Sequence, residues 1–119
     1  MERWAKIKGY PSYEVSTDGS VRRILKDGKV KYLKACDNWN GYLRLNLYKD
    51  GTGKKCFLHR LVAEAFLTNR KRLPEVHHRD HDKSNNTLSN LQWVTSRENN
   101  RHKVVYYRNK EGYKWAKIL

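Results

Sequence analysis

The stretch VHHRDHDKSNNTLSNLQWVTSRENN, residues 76–100, decides how the chain is read. Three histidines and two aspartates fall within residues 77–82, and a run of asparagines follows. A polar surface loop accounts for Asn85 and Asn86. It does not account for His77 and His78 at the end of a short predicted strand around Val76. Beyond the polar stretch, Leu91-Gln92-Trp93-Val94-Thr95 reads as a second strand. Ser96 then suits an N-cap, with Glu98 in the first turn of a short helix reaching about residue 103. The order is strand, polar loop, strand and helix, with imidazoles at the end of the first strand.

Towards the N-terminus, Leu58, Leu61, Val62, Ala65 and Phe66 recur at helical spacing, and nothing over 58–67 breaks a helix. Asn69 and Pro74 bracket its exit. Residues 1–50 read as short strands broken by turns. Tyr13, Val15 and Val21 flank the turn Thr17-Asp18-Gly19, and Asp27-Gly28 separates strands over 21–25 and 30–33. Asn40-Gly41 opens a strand over 42–48. There Leu43, Leu45 and Leu47 face a core, while Tyr42, Arg44, Asn46 and Tyr48 face the other way. Asp50-Gly51 and Gly53 make the next turn. A terminal hairpin is expected from residue 104 onward, turning at Glu111-Gly112.

Lys plus Arg number 26 and Asp plus Glu 12 in 119 residues, a net charge of +14. Such a surplus points to a polyanionic partner, most often nucleic acid. No apolar run approaches the ~18 residues of a membrane span, and no lysine-rich amphipathic helix long enough to lie on a bilayer is visible. The first ten residues have no apolar stretch of the secretory kind. Cys36 and Cys56 are too few for a disulfide framework or a four-cysteine zinc knuckle, and are expected as free thiols in a reducing cytoplasm.

The stretch from residue 76 resembles the HNH motif of the ββα-metal nucleases, in the form found in phage and intron-borne homing endonucleases. The matching residues are His77-His78, Asn90-Leu91-Gln92-Trp93 and Glu98-Asn99-Asn100. The spacings are 12 from His78 to Asn90 and 9 from Asn90 to Asn99. The preceding segment, Leu58-His59-Arg60-Leu61-Val62-Ala63-Glu64-Ala65-Phe66, is similar to the family's H-R-L-V-A-x-A-F segment. The N-terminal part resembles a nuclease-associated modular DNA-binding motif through Trp4, Ile7, Gly9-Tyr10, Tyr13-Glu14-Val15-Ser16, Gly19 and Val21-Arg22. The chain departs from the family at Asp80-His81-Asp82, where many relatives carry Asp-Gly-Asn, and no helix-turn-helix follows the nuclease unit as it does in longer relatives.

Phosphodiester hydrolysis needs a nucleophilic water, a base to take its proton and a cation near the leaving oxygen. His78 is the expected base, since an unperturbed imidazole titrates at about 6.5. His77, on the other face of the strand end, and Asn99, on the following helix, are the expected metal ligands. Asn90 would fix the loop or orient the His78 ring. One imidazole and one amide, completed by phosphate oxygens, suit Mg²⁺ or Mn²⁺. A third imidazole, for which His102 is placed, would favour Zn²⁺ or Ni²⁺. Arg22, Arg23, Arg44 and Tyr42 are expected to contact DNA from the sheet, and Arg60 to approach the scissile phosphate or to pack the helix.

The predicted fold is α+β: an N-terminal antiparallel β-sheet, residues 1–53, of DNA-binding character, a ββα-metal nuclease unit over 54–103, and a hairpin tail over 104–119. The expected activity is a metal-dependent endonuclease on double-stranded DNA, homing-type or packaging-associated, nicking one strand per monomer, as a monomer or homodimer. The alternative is a nucleic-acid-binding module with an inactive centre. The expected location is the cytoplasm of a bacterial or phage-infected cell.

Overall fold

Turn chemistry shapes the first half of the chain. In the computed structural model, which describes residues 2–37, 41–97, 104–109 and 112–117, β1 (Trp4–Ile7), β2 (Tyr10–Ser16), β3 (Val21–Ile24) and β4 (Val30–Leu33) form an antiparallel sheet in sequence order. At the Asp18-Gly19 turn the Ser16 Oγ accepts the N–H groups of Asp18 and Ser20, at 3.2 and 3.1 Å. Such a side-chain acceptor satisfies turn donors that no strand neighbour can reach. A second sheet holds β5 (Cys36–Asp37), β6 (Leu43–Lys49) and β7 (Thr52–Phe57). The β6–β7 turn places both Asp50 (φ 52°) and Gly51 (φ 79°) in the left-handed region. A two-residue type I′ hairpin requires this. β7 escapes sequence reading because Thr52-Gly53-Lys54-Lys55 shows no apolar alternation.

The helix α1 (Leu58–Phe66) follows β7 without a loop, and β8 (Glu75–His78) pairs antiparallel with β9 (Leu91–Val94) across the polar loop. A 3₁₀ turn at Leu88–Asn90 leads into β9. β10 (Val104–Asn109) and β11 (Gly112–Lys117) pair as the terminal hairpin. Ser96 and Arg97 have helical backbone; the rest of the expected helix, with Glu98, Asn99 and His102, lies outside the described residues, as does Asn40.

One apolar core serves both halves. Val15 and Val21 of the first sheet, Leu45 and Leu47 of the second, Leu61 and Val62 of α1, Val76 of β8 and Leu91 of β9 are buried in the same cluster. The buried Tyr13 also bridges the sheets, its hydroxyl accepting the Tyr48 N–H at 3.1 Å. A cut between residues 53 and 54 falls inside β7, and the core runs across it.

The first hairpin turn docks on the polar loop. Leu88 N–H donates to the Thr17 carbonyl at 2.8 Å, and the buried Thr17 is itself tied to Arg3 by two bonds of 2.9 and 3.0 Å. Gly19 has φ +84°, and a Cβ there would lie 2.9 Å from the Asn86 carbonyl oxygen. Backbone of this kind tolerates no side chain without a shift. Gly19→Ala is therefore expected to destabilise the fold by about 1–3 kcal/mol, read as a lower midpoint in thermal or urea unfolding. An unchanged midpoint would show that the turn and the loop separate freely.

Candidate active site

Strand pairing places the two histidines. His77 lies opposite Gln92 and His78 opposite Leu91, so successive residues send their rings to opposite faces of the β8–β9 ribbon. Both are buried, at 8% and 5% exposure. The His78 Nε2 lies 2.8 Å from the Oδ1 of Asn86. The Asn86 amide nitrogen donates to two backbone carbonyls, of Lys83 and Ser84, at 3.4 and 3.3 Å. Those two acceptors fix which end of the amide is nitrogen. The oxygen therefore faces His78, and only a protonated Nε2 can meet it. The lone pair of the neutral imidazole is thus on Nδ1. Burial pulls the His78 pKa below its usual value; the Asn86 bond and the charges of Asp80 and Asp82 oppose this, and Lys83 adds to it.

Asn90 holds the loop. Its amide nitrogen donates to Asp80 Oδ1 and to the Asn85 carbonyl at 2.9 and 2.8 Å, and its side-chain oxygen accepts the Asp80 N–H at 3.0 Å. Its own carbonyl accepts the Arg79 N–H at 2.8 Å. Asp80 also accepts from the Asn85 side chain, 2.7 Å, and from the Asp82 N–H, 2.8 Å. These bonds, that with Asn85 first, hold the Asp80 carboxyl below the ordinary carboxylate range. The structure thus sets Asn90 on the loop and Asn86 on the His78 imidazole. The sequence marks Asn86 only as one member of a polar run, and no periodicity separates it from Asn85.

Two further rings close over His78. His59, on the first turn of α1, lies 5.1 Å from His78, 5.1 Å from Tyr42 and 5.5 Å from Phe57, centroid to centroid. Its Nδ1 is buried without a hydrogen-bond partner. Burial, with the nearby charges of His78 and Arg60, pushes the His59 pKa down to about 3. Tyr42 precedes β6 rather than belonging to it. Its ring meets His78 at 6.0 Å and carries the Lys83 ammonium 4.5 Å from its centroid. The Tyr42 ring also meets that of Phe57, the register partner of Arg44, at 6.0 Å, so this end of the expected face is turned towards the histidine cluster.

Residues 2–48 match the NUMOD4 motif, and residues 56–101 match the HNH endonuclease family. A solved structure, described as DNA binding and cleavage by the HNH homing endonuclease I-HmuI, superposes with a TM-score of 0.69 at 33% identity, covering 98% of this chain and 78% of that one. The DNA endonuclease I-HmuI of Bacillus phage SP01 is 43% identical over 97 residues, 81% of this chain and 54% of its own length. HNH endonuclease L245 of Acanthamoeba polyphaga mimivirus is 36% identical over 105 residues, 88% of this chain and 31% of its own length. The chain belongs to the HNH endonuclease family. It spans about half the length of the phage relative and under a third of the viral one.

HNH endonucleases generally use a divalent metal ion. Among the described residues no three His, Cys, Asp or Glu side chains form a group that could hold one. The donor set fits such an ion only if other ligands join His77, and Asn99 lies outside the described residues. The His77 ring has the His81 ring as a neighbour, 5.2 Å away and near-perpendicular at 68°. His81 has φ 63°, a left-handed conformation that costs an L-residue roughly 1–2 kcal/mol.

The arginines divide. Strand alternation sends Arg22 and Arg23 to opposite faces of β3. Arg22 is ion-paired to Glu14 at 2.7 Å and lies over the Trp4 ring at 3.9 Å. Arg23 is exposed near the Tyr13 ring. Arg44 lines a recess with Lys34 and Lys55. Arg60 donates to the Pro74 carbonyl at 2.9 Å, sits 5.5 Å from the Trp93 ring and pairs with Glu64 at 3.7 Å. These interactions serve the packing of α1.

His59 gives a pH signature. Its pKa is about 3 in the fold against an ordinary 6.5, so the unfolded chain takes up a proton first as pH falls. Stability is expected to be full above about pH 6.5 and to decline below it, by up to about 1.4 kcal/mol per pH unit from this group. His59→Phe keeps an aromatic ring there and should flatten that slope between pH 6.5 and 4 in thermal unfolding. An equally steep slope in the variant would assign the decline to other groups.

Proposed function

We propose that the chain is a divalent-metal-dependent endonuclease that hydrolyses phosphodiester bonds in double-stranded DNA, of the homing type or its packaging-associated counterpart, nicking one strand at each active site. The observation that carries this reading is the fixed tautomer of His78. With its Nε2 facing the Asn86 oxygen and its pKa lowered by burial, the imidazole favours the neutral form with the lone pair on Nδ1. It is a proton acceptor by construction.

In the reaction, Nδ1 of His78 takes a proton from water. The water oxygen bonds to phosphorus, the bond from phosphorus to the leaving sugar oxygen breaks, and that oxygen is protonated from solvent. Asn86 holds the ring throughout and accepts the Nε2 hydrogen more strongly as positive charge develops on the imidazole. Asn90 and Asp80 keep the loop that carries Asn86 from shifting. The family resemblance makes His77 and Asn99 the protein ligands of a divalent ion, which when bound supplies positive charge towards the leaving oxygen and the phosphate. Mg²⁺ or Mn²⁺ suits one imidazole with oxygen donors, and Zn²⁺ or Ni²⁺ would need more imidazoles. Arg23, Arg44 and the lysines beside Arg44 engage the phosphates.

His78→Ala should reduce nicking of supercoiled plasmid by about 10²–10⁴ while leaving DNA affinity nearly unchanged, because the base acts on water rather than on the duplex. EDTA should stop the wild-type reaction, and Mg²⁺ or Mn²⁺ should restore it. Wild-type turnover in the alanine variant would remove the assignment.

Binding should depend steeply on salt, since each phosphate neutralised releases counterions. Replacing Arg23 and Arg44 together by Ala should weaken binding and flatten the plot of log affinity against log salt, by about one unit for each phosphate left without its arginine. Arg22→Ala should instead lower the melting midpoint, because Glu14 and Trp4 already engage its guanidinium. A titration in Ca²⁺ measures binding with little cleavage, and an unaltered slope in the double variant would place the duplex elsewhere on the chain.

A further inference from the structure

We infer that His81 is a second imidazole donor to the ion held at His77, giving this site a bidentate histidine pair with affinity for late first-row divalent ions. The inference rests on the reading of His77 as a metal ligand, and extends it to a residue that neither the motif spacing nor the expected ligand set includes.

Three features converge on His81. The first is geometry. Two imidazoles bound to one tetrahedral ion through bonds of about 2.1 Å hold their centroids roughly 5 Å apart, and the His77 and His81 rings stand at 5.2 Å and 68°. The centroid spacing of the pair is thus that of two imidazoles sharing one ion. The second is fixation. The His81 N–H donates to the His78 carbonyl at 2.9 Å, Asp80 N–H to Asn90 Oδ1 at 3.0 Å and Asp82 N–H to Asp80 Oδ1 at 2.8 Å. The backbone on both sides of His81 is thus held in the left-handed turn that brings its ring to His77. A donor fixed before binding loses little freedom on binding. The third is access. His81 is part-exposed and lines a cleft of about 620 Å³ with Asp37, Gly41, Asp80, Asp82 and Lys83, so its own ring is open to solvent, whereas the buried His77 does not line that cleft.

The neighbouring carboxylates are otherwise engaged. Asp80 accepts from Asn85, Asn90 and the Asp82 N–H, and Asp82 accepts from the N–H and hydroxyl of Ser84 at 3.0 and 2.6 Å. The donor that His81 brings to this corner is a nitrogen. Imidazole donors select Co²⁺, Ni²⁺, Cu²⁺ and Zn²⁺ over Mg²⁺, which prefers an all-oxygen octahedron.

The test is direct metal binding without DNA, by calorimetric titration with Ni²⁺ and by the visible absorption of bound Co²⁺. The proteins are wild type, His81→Gly, His81→Asn, His77→Ala and the His77→Ala/His81→Gly double variant. Glycine and asparagine both suit φ 63°, so the loop keeps its path without the imidazole. Each His81 variant should lose at least about tenfold in Ni²⁺ affinity, since even groups that only orient a ligand cost about 10–100-fold. The Co²⁺ spectrum should also change. In the His77→Ala background His81→Gly should cost much less, because two donors to one ion are not additive. Wild-type Ni²⁺ affinity and Co²⁺ spectrum in both His81 variants would overturn the inference. So would a full loss on His81→Gly when His77 is already alanine, which would mean a separate ion. Nicking by wild-type protein in Mg²⁺, and its loss in His78→Ala, tests the nuclease reading independently of either result.

Discussion

One side-chain amide sets which nitrogen of His78 carries the lone pair in the candidate active site. The Asn86 nitrogen is occupied by two backbone carbonyls of its own loop, so its oxygen has a single orientation open to it. That oxygen then dictates the tautomer of His78. A serine or a water in the same place could rotate to donate or accept, and the imidazole would sample both tautomers. An amide pinned at its nitrogen end cannot. The chemistry of His78 therefore depends on the path of the backbone at Lys83 and Ser84, two residues whose own side chains need not touch the ring.

That backbone path is in turn held from two directions. From within the loop, Asn90 and Asp80 cross-link its ends, with three hydrogen bonds from the Asn90 side chain alone. From outside, the Asp18-Gly19 turn packs on the Asn86 carbonyl, and the Thr17 carbonyl takes the Leu88 N–H. A loop this polar buries little apolar surface, so bonds of this kind are what order it against its conformational entropy. The N-terminal sheet is consequently a structural support for the nuclease loop as well as a carrier of basic residues. The shared core of Val15, Val21, Leu47, Val62 and Leu91 follows from the same arrangement.

Much of this is legible in the sequence wherever a period or a turn signal is strong. The leucines of β6, the apolar stripe of α1, the Asp-Gly turns and the two strands flanking the polar loop all announce themselves by spacing. β7 does not, because Lys54 and Lys55 break the alternation, and β5 is too short to show one. At the site, His77 and His78 stand out by residue type, but the separate tasks of Asn86 and Asn90 do not. Both are asparagines in a polar run, and only the fold decides which one reaches an imidazole. Arg22 and Arg23 differ for a reason the sequence does carry. Strand alternation already forbids two adjacent residues from sharing a face, and Glu14, opposite Arg22 in the register, is available as its partner. For Tyr42 the alternation of β6 is carried one residue too far, past the point where the chain leaves the strand.

The electrostatics of the loop bear on an apparent conflict in the proposed site, the presence of two aspartates beside the histidine assigned as its base. Free carboxylates there would repel a phosphate. Asp80 and Asp82 are instead turned onto donors of their own loop, where their lone pairs hold backbone and asparagine N–H groups. Their residual field still acts on His78, raising its proton affinity against the opposing pull of burial and Lys83. Without them burial and Lys83 would pull it lower unopposed but for Asn86, and a weaker base takes a proton from water less readily. His59, packed against the same ring, is lowered to about 3, and burial is the leading cause for both. The difference between these neighbouring histidines comes from what faces each. Around His78 an oriented amide and two aspartates act against burial; at His59, packed on Tyr42 and Phe57, His78 and the cationic Arg60 act with it. One histidine of the pair is thereby held as a neutral packing surface, and the other is left in the environment that the proposed base requires.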